Sequence, residues 1–263
     1  MTDRLDIILV NKDLAKSREK AKSLIKDGKV YINNIMATKP SQLVDDEAVI
    51  EIRGEIEKYV SRGGLKLEKA IDEFSLKLTD LTCMDIGAST GGFTDCMLKN
   101  GARLVYAVDV GHDQLDESLR RDKRVVSMEG VNFRYMEKTA DMEPVQFASC
   151  DVSFISLKHI LLKAYEILSE DGQMVCLIKP QFEAGREHLN KKGVVKDKKI
   201  HVKVLREILD FTEETGFTVK NLTFSPIKGP EGNIEYLMHI TKEASEKGIS
   251  VNASNTVSEA FNE

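Results

Sequence analysis

The chain has no uninterrupted apolar run of the roughly 20 residues that a membrane-crossing helix requires. Its first residues, Met1-Thr-Asp-Arg-Leu-Asp, place acids where a secretory leader would carry bases and then an apolar stretch. No segment reads as an amphipathic membrane helix. These absences argue against a pore-forming or exported protein and lead to the expectation of a cytoplasmic one with no membrane partner. Cysteine is sparse too. Cys83, Cys96, Cys150 and Cys176 are scattered without a CxxC pair, so no zinc or other metal site is expected. Three fall in apolar segments that read as strands and Cys96 in a helix, the pattern of reduced cysteines used as small core hydrophobes.

At 263 residues, 41% hydrophobic and 31% charged, the chain has enough apolar material for a real core and room for two domains. The net charge of −5 conceals an asymmetry. Residues 1–40 hold nine Lys/Arg against five Asp/Glu, a net +4, which leaves −9 on the remainder. Such a split suggests a basic module that meets a polyanion, attached to a body with other work.

In that basic segment, Leu5, Ile8 and Leu9 recur at helical spacing, as do Ala21, Leu24 and Ile25. Ser17 is placed to cap the second helix and Gly28 to stop it. Lys16, Arg18, Lys20, Lys22 and Lys26 crowd its exposed positions. Beyond Gly28 the pattern becomes strand-like, in Lys29-Val-Tyr-Ile-Asn-Asn and Ala48-Val-Ile-Glu-Ile. Two short helices, a small sheet and a basic second helix resemble the S4-type RNA-binding module of ribosomal proteins, pseudouridine synthases and tyrosyl-tRNA synthetases. The matching words are Arg4-Leu-Asp, Ser17-Arg18, Ile25-Lys-Asp-Gly28-Lys-Val-Tyr-Ile-Asn33 and Lys39-Pro40-Ser41. The resemblance implies RNA contacts by Arg4, Ser17, Arg18, Lys20, Lys22 and Lys39, with Arg62 added from the following segment.

From about Cys83 strands and helices alternate, which predicts an α/β domain with a mostly parallel sheet and helices on both faces. Strands are expected at 81–86, 104–110, 124–128, 147–152 and 174–179. A helix through 160–168 should stop at Gly172, and another should run from 202 to 215. Phe217–Phe224 and Ile234–Ile240 read as a closing antiparallel pair. The expected organisation is an RNA-binding domain at 1–58, a linker at 59–63, a catalytic domain at 64–243 and a polar, flexible tail at 244–263.

In a doubly wound sheet, ligands sit beyond the carboxyl ends of the strands. The first such turn is Asp85-Ile-Gly87-Ala-Ser89-Thr-Gly91-Gly92-Phe93, and the second strand ends at Asp109, where a carboxylate suits ribose hydroxyls. A nicotinamide dinucleotide fits poorly. Ser89 stands where the second glycine of GxGxxG would approach the pyrophosphate, and Asp85 would repel it. An acid there suits a sulfonium cofactor bearing an amino group. The turn is similar to motif I of class I methyltransferases, which assigns Gly87, Ser89, Gly91, Gly92, Phe93 and Asp109 to S-adenosylmethionine, with Asp85 ordering the loop. Asn132, in Glu129-Gly-Val-Asn132-Phe-Arg134, could touch the adenine end or simply serve a turn.

Four polar residues occupy places where apolar ones would pack better: Lys66, Asp151, Lys179 and Glu235. They stand in Ser61-Arg-Gly-Gly-Leu-Lys66-Leu, Asp151-Val-Ser-Phe-Ile-Ser, Lys179-Pro-Gln-Phe-Glu183 and Gly232-Asn-Ile-Glu235-Tyr. In this order they resemble the Lys-Asp-Lys-Glu tetrad of FtsJ-like 2′-O-methyltransferases. Joined to the N-terminal module, the words resemble the TlyA family of ribosomal RNA methyltransferases, also labelled haemolysins. The resemblance implies a Rossmann-like methyltransferase sheet with its last strand antiparallel and a cytidine ribose of ribosomal RNA as target. Lys179 would meet the 2′-hydroxyl and accept its proton. A base methyltransferase would carry an Asn/Asp-Pro-Pro-Tyr-like strand end, whereas this strand ends in Asp151-Val-Ser-Phe. A ribosome-assembly factor without catalysis would have no use for two lysines and two acids. The basic stretch Asn190–Lys199 reads either as an RNA clamp or as a solvated loop.

Overall fold

The computed structural model describes residues 2–15, 17–45, 47–53, 58–243 and 251–263. It divides into two compact units, Met1–Lys58 and Tyr59–Glu263. In the first, β1 (Thr2–Arg4) leads into α1 (Leu5–Asn11) and α2 (Arg18–Lys26). β2 (Val30–Ile32), β3 (Ile35–Met36), β4 (Leu43–Asp45) and β5 (Ile50–Ile52) follow. β1 pairs with β4, and β3-β2-β5 form a second small antiparallel sheet. The helical apolar positions Leu5, Ile8, Leu9, Ala21 and Ile25 bury together with Val30 and Val44. Ser17 caps α2 by accepting from the Lys20 N–H at 3.2 Å. Gly28 turns the chain out of the helix at φ +67°, a region favourable to glycine.

The second unit opens with α3 (Gly64–Glu73) and β6 (Thr82–Ile86), then α4 (Gly92–Lys99), β7 (Leu104–Asp109), α5 (Glu117–Arg120) and β8 (Val125–Glu129). β9 (Val145–Cys150), α6 (Leu157–Ile167), β10 (Leu168–Ile178), α7 (Pro180–Glu183) and α8 (Lys198–Glu214) come next. β11 (Thr218–Phe224), β12 (Tyr236–Thr241) and α9 (Ala253–Ala260) complete it. The seven strands lie in the order β11-β12-β10-β9-β6-β7-β8. β12 runs antiparallel to both of its neighbours, while β6 to β10 are mutually parallel.

Side chains alternate across the sheet, as strand geometry requires. Met84, Tyr106, Ala148, Cys176 and Met238 face a core made with α6, α8 and α9. Cys83, Val105, Phe147, Val175 and Leu237 face the opposite core, made with α3 and α4. With both faces covered, the strands read as continuous apolar runs. All four cysteines are buried in these layers.

Three expectations need correction. The helix expected to stop at Gly172 ends at Ile167, because Leu168 turns to extended backbone and pairs with Val145. The segment 59–63, expected as a linker, belongs to the second unit: Tyr59 is buried in its core and the Val60 N–H donates to Asp95 at 2.9 Å. The flexible tail is replaced, over its last part, by α9. Asn252 caps this helix, and Ala253, Val257 and Ala260 seat in the core with α8 and β11. Small apolar residues at helical spacing, set among polar ones, gave little hydrophobic signal. Residues 244–250 of that tail lie outside the described residues, as does Lys16. Val257→Asp would bury an unpartnered charge, so thermal unfolding should show a loss of about 2–3 kcal/mol. A solvated tail would show no change.

Candidate active site

The parallel strands carry their carboxyl ends to one edge of the sheet. Asp85 lies near the end of β6, Asp109 ends β7, Asp151 follows β9 and Lys179 follows β10. β12 runs the other way and begins at that edge, where Tyr236 pairs with Ile178, so Glu235 stands there too. Lys66 enters from the first turn of α3. Gly64 permits that approach, since a Cβ at this position would meet the Tyr59 ring at 2.4 Å.

The four side chains meet. Lys66 Nζ donates to Glu235 Oε2 at 2.7 Å and to Asp151 Oδ2 at 3.1 Å. The other Asp151 oxygen, Oδ1, lies 2.5 Å from Lys179 Nζ. Lys66, Lys179 and Glu235 are buried. Burial disfavours the charged form of Lys66, yet the Asp151 and Glu235 carboxylates outweigh it and raise its pKa. Burial likewise pushes Asp151 up, but the two lysines overcome this and hold it below the ordinary carboxylate value. Lys66 and Asp151 are therefore both ionised at neutral pH. Gly229 gives Glu235 its room: a Cβ there would meet Oε1 at 2.3 Å. Behind Glu235, buried His201 donates from Nε2 to the Val195 carbonyl at 2.9 Å and accepts the Tyr236 hydroxyl at Nδ1, 2.8 Å away. This fixes the start of β12 against α8.

A cavity of about 260 Å³ opens on one side of the four, lined by Asp85, Gly87, Ser89, Gly92, Phe93 and the tetrad itself. Ser61, Gly63 and Ser153 also line it. The turn depends on backbone that glycine allows, with φ +84° at Gly87 and +96° at Gly91. A Cβ on Gly87 would lie 2.9 Å from the Asp151 carbonyl, and one on Gly92 2.3 Å from Ser61 Oγ. Gly91 serves packing instead, its absent Cβ leaving space for Leu115 and Leu119. Asp85 is fully buried and accepts from the Thr94 N–H, the Thr94 hydroxyl and Ser149 Oγ at 2.7–3.2 Å. Its role is thus to tie β6 to the start of α4. Asp109 does similar work, accepting from the Ser89 N–H at 2.8 Å and the Gly111 N–H at 2.7 Å. Asn132 accepts from the Arg134 N–H and caps a short turn, and it does not line the cavity.

Residues 59–242 match the family described as FtsJ-like methyltransferase, and residues 3–50 match the S4 domain. The chain belongs to the FtsJ-like methyltransferase family. It is 49% identical over 90% of its length, and 85% of the relative's, to a Bacillus subtilis protein described as a candidate rRNA methyltransferase. It is 39% identical to a Mycobacterium tuberculosis 16S/23S rRNA (cytidine-2′-O)-methyltransferase, covering 89% of this chain and 88% of the other. A solved Streptococcus thermophilus structure described as a candidate hemolysin shares 48% identity and a TM-score of 0.79, over 99% and 96% of the two chains.

Lys179 and Glu235 also border a second cavity of about 660 Å³, lined by Ser153, Phe154, Phe182, Arg186 and Lys192 among others. Lys192 and Glu231 pair at 3.7 Å, and Asn190 accepts from the Lys192 and Val194 N–H groups. The stretch 190–199 thus borders this cavity in part and opens α8 in part. In the S4 domain, Arg4 and Arg18 both grip buried Asp6, at 2.9 and 3.1 Å. Arg4's hydrogen bonds, seconded by Arg18, hold the Asp6 carboxyl down at about 2. Ser17 is the α2 cap, Lys22 pairs with Glu19 at 2.6 Å, and Lys39 is exposed. Lys20 lies on α2, while Arg62 is an exposed residue of the other unit. No helix among the described residues is long and apolar enough to cross a membrane.

Burial raises the Asp85 carboxyl to about 7, against the hydrogen bonds it accepts. Its folded pKa lies above the ordinary value, so stability from this group is present at low pH and is lost as pH rises from about 4 to about 7. Asp85→Asn should abolish that loss, on the order of a few kcal/mol. Thermal melts at pH 4.5 and 8 check this, and parallel behaviour of variant and wild type would contradict it.

Proposed function

We propose that this chain transfers the methyl group of S-adenosylmethionine to the ribose 2′-hydroxyl of a cytidine in ribosomal RNA, with the large subunit as substrate and the small as a second candidate. The observation that carries this reading is the continuous chain Glu235–Lys66–Asp151–Lys179, which lines one cavity and through Lys179 and Glu235 borders a second. One cavity has the glycine turn of a cofactor site; the other is open to a second reactant. The relatives' names support the target, and the S4 domain supports RNA as the partner. The reading places the protein with ribosomes in the cytoplasm.

The residues present fit the cofactor. The Gly87 and Gly92 cradle has no space for a Cβ, and acids exceed bases around the first cavity. Gly87, Ser89, Gly92 and Phe93 would hold it, Asp109 would take its ribose hydroxyls, and Asp85 would keep the loop in shape. When bound, S-adenosylmethionine supplies an electrophilic methyl group on a positively charged sulfur. Lys179 would meet the 2′-hydroxyl, a poor nucleophile, and accept its proton. Lys66, held charged, stabilises the negative charge that develops on that oxygen. Asp151 orients both lysines, and Glu235 orients Lys66. In the S4 domain, Asp6 fixes Arg4 and Arg18, whose remaining N–H groups, with Lys20, Lys22 and Lys39, would contact phosphates and position the RNA without reading sequence. Arg62, in the other unit, would make an RNA contact of its own.

Lys179→Ala should lower methyl incorporation into ribosomal subunits by about 10³-fold or more. Calorimetry should show cofactor affinity within a few-fold of wild type. A fully active Lys179→Ala variant would sink the reading.

A further inference from the structure

Between the two cavities stands a residue that neither the tetrad nor the glycine turn accounts for. Ser153 lines both cavities, and its Oγ accepts from Lys179 Nζ at 3.1 Å. A lysine nitrogen has four tetrahedral directions. The side-chain carbon takes one and the hydrogen bond to Ser153 Oγ another, while Asp151 Oδ1 pairs with the nitrogen at 2.5 Å. No further hydrogen-bond partner of Lys179 is found among the described residues, so the nitrogen keeps a direction open, bounded by Ser153 and Asp151.

The backbone holds Ser153 in place. Ahead of it, Asp151 is anchored by both lysines. Behind it, Glu183 accepts from Ser156 Oγ at 2.8 Å and from the Leu157 N–H at 2.7 Å, which clamps the loop to α7. The next residue, Phe154, sits at φ +63°, a left-handed conformation unfavourable to a side chain. That turn sends its ring outward against Phe182, 5.0 Å between centroids, and leaves Ser153 beside the lysine. Strain next to a reacting group points to a geometric requirement.

We propose that Ser153 is a positioning residue for Lys179, aiming the remaining direction of Nζ at the place where the substrate hydroxyl is received. The inference rests on the 2′-O-methyltransferase reading. Ser153 itself forms no bond to substrate and takes no proton; it restricts the lysine so that a single orientation survives when the hydroxyl arrives.

Three proteins test it, wild type, Ser153→Ala and Ser153→Thr, on ribosomal subunits from cells lacking the protein. Ser153 is exposed, so all three should melt alike and bind S-adenosylmethionine alike by calorimetry. Misaiming the lysine should lower kcat of Ser153→Ala by about 10- to 100-fold, with KM for RNA within about two-fold. Ser153→Thr keeps the hydroxyl and should recover most of the rate. An unchanged kcat in Ser153→Ala, a loss confined to KM, or equal losses in the Ala and Thr variants would overturn the proposal. Wild type that methylates no ribose would overturn the reading beneath it, and the proposal with it.

Discussion

One carboxylate between two buried lysines sets the terms for this site. Asp151 gives one oxygen to Lys66 and the other to Lys179, and without it the two bases would face each other out of water. Removing one partner from such a buried arrangement costs about 3–5 kcal/mol, whereas an apolar cluster of the same volume is as stable or more so. Stability therefore does not explain four ionisable side chains here. Their value lies in a fixed field, with one ammonium held charged by two carboxylates and a second lysine beside it with one direction still open.

The sheet makes that arrangement possible. Parallel strands deliver Asp85, Asp109, Asp151 and Lys179 to a single edge, and the one reversed strand delivers Glu235 to the same edge from its start. Placing β12 between β10 and β11 brings Glu235 within reach of Lys66, which comes from a helix 169 residues earlier in the chain. The glycines then control distance: Gly87 brings the turn after β6 against Asp151, Gly64 admits Tyr59, and Gly229 admits the Glu235 carboxylate. None of these contacts would survive a Cβ unchanged.

Much of this was legible in the sequence. Each tetrad residue alone reads as an ordinary charge; it was their order and surrounding words, resembling the FtsJ-like tetrad, that named them, while the glycine turn announced itself by following a strand. The insertion of β12 was not legible, because an antiparallel pair reads the same whichever strand lies inside. Ser153 and Gly229 were missed for a different reason: a loop serine and a loop glycine are ordinary until the structure puts one against Lys179 and the other against Glu235. Asn132 left two readings open, and the structure gives its side chain the turn role. The helix Ala253–Ala260 escaped because alanine and a single valine carry little periodic signal.

The central claim concerns one oxygen atom, and it is tested most directly by the product. Purified protein, methyl-labelled S-adenosylmethionine and separated ribosomal subunits should give labelled RNA that, digested to nucleosides and resolved by mass spectrometry, contains 2′-O-methylcytidine. Label found on a base, or no label on either subunit, would contradict the account.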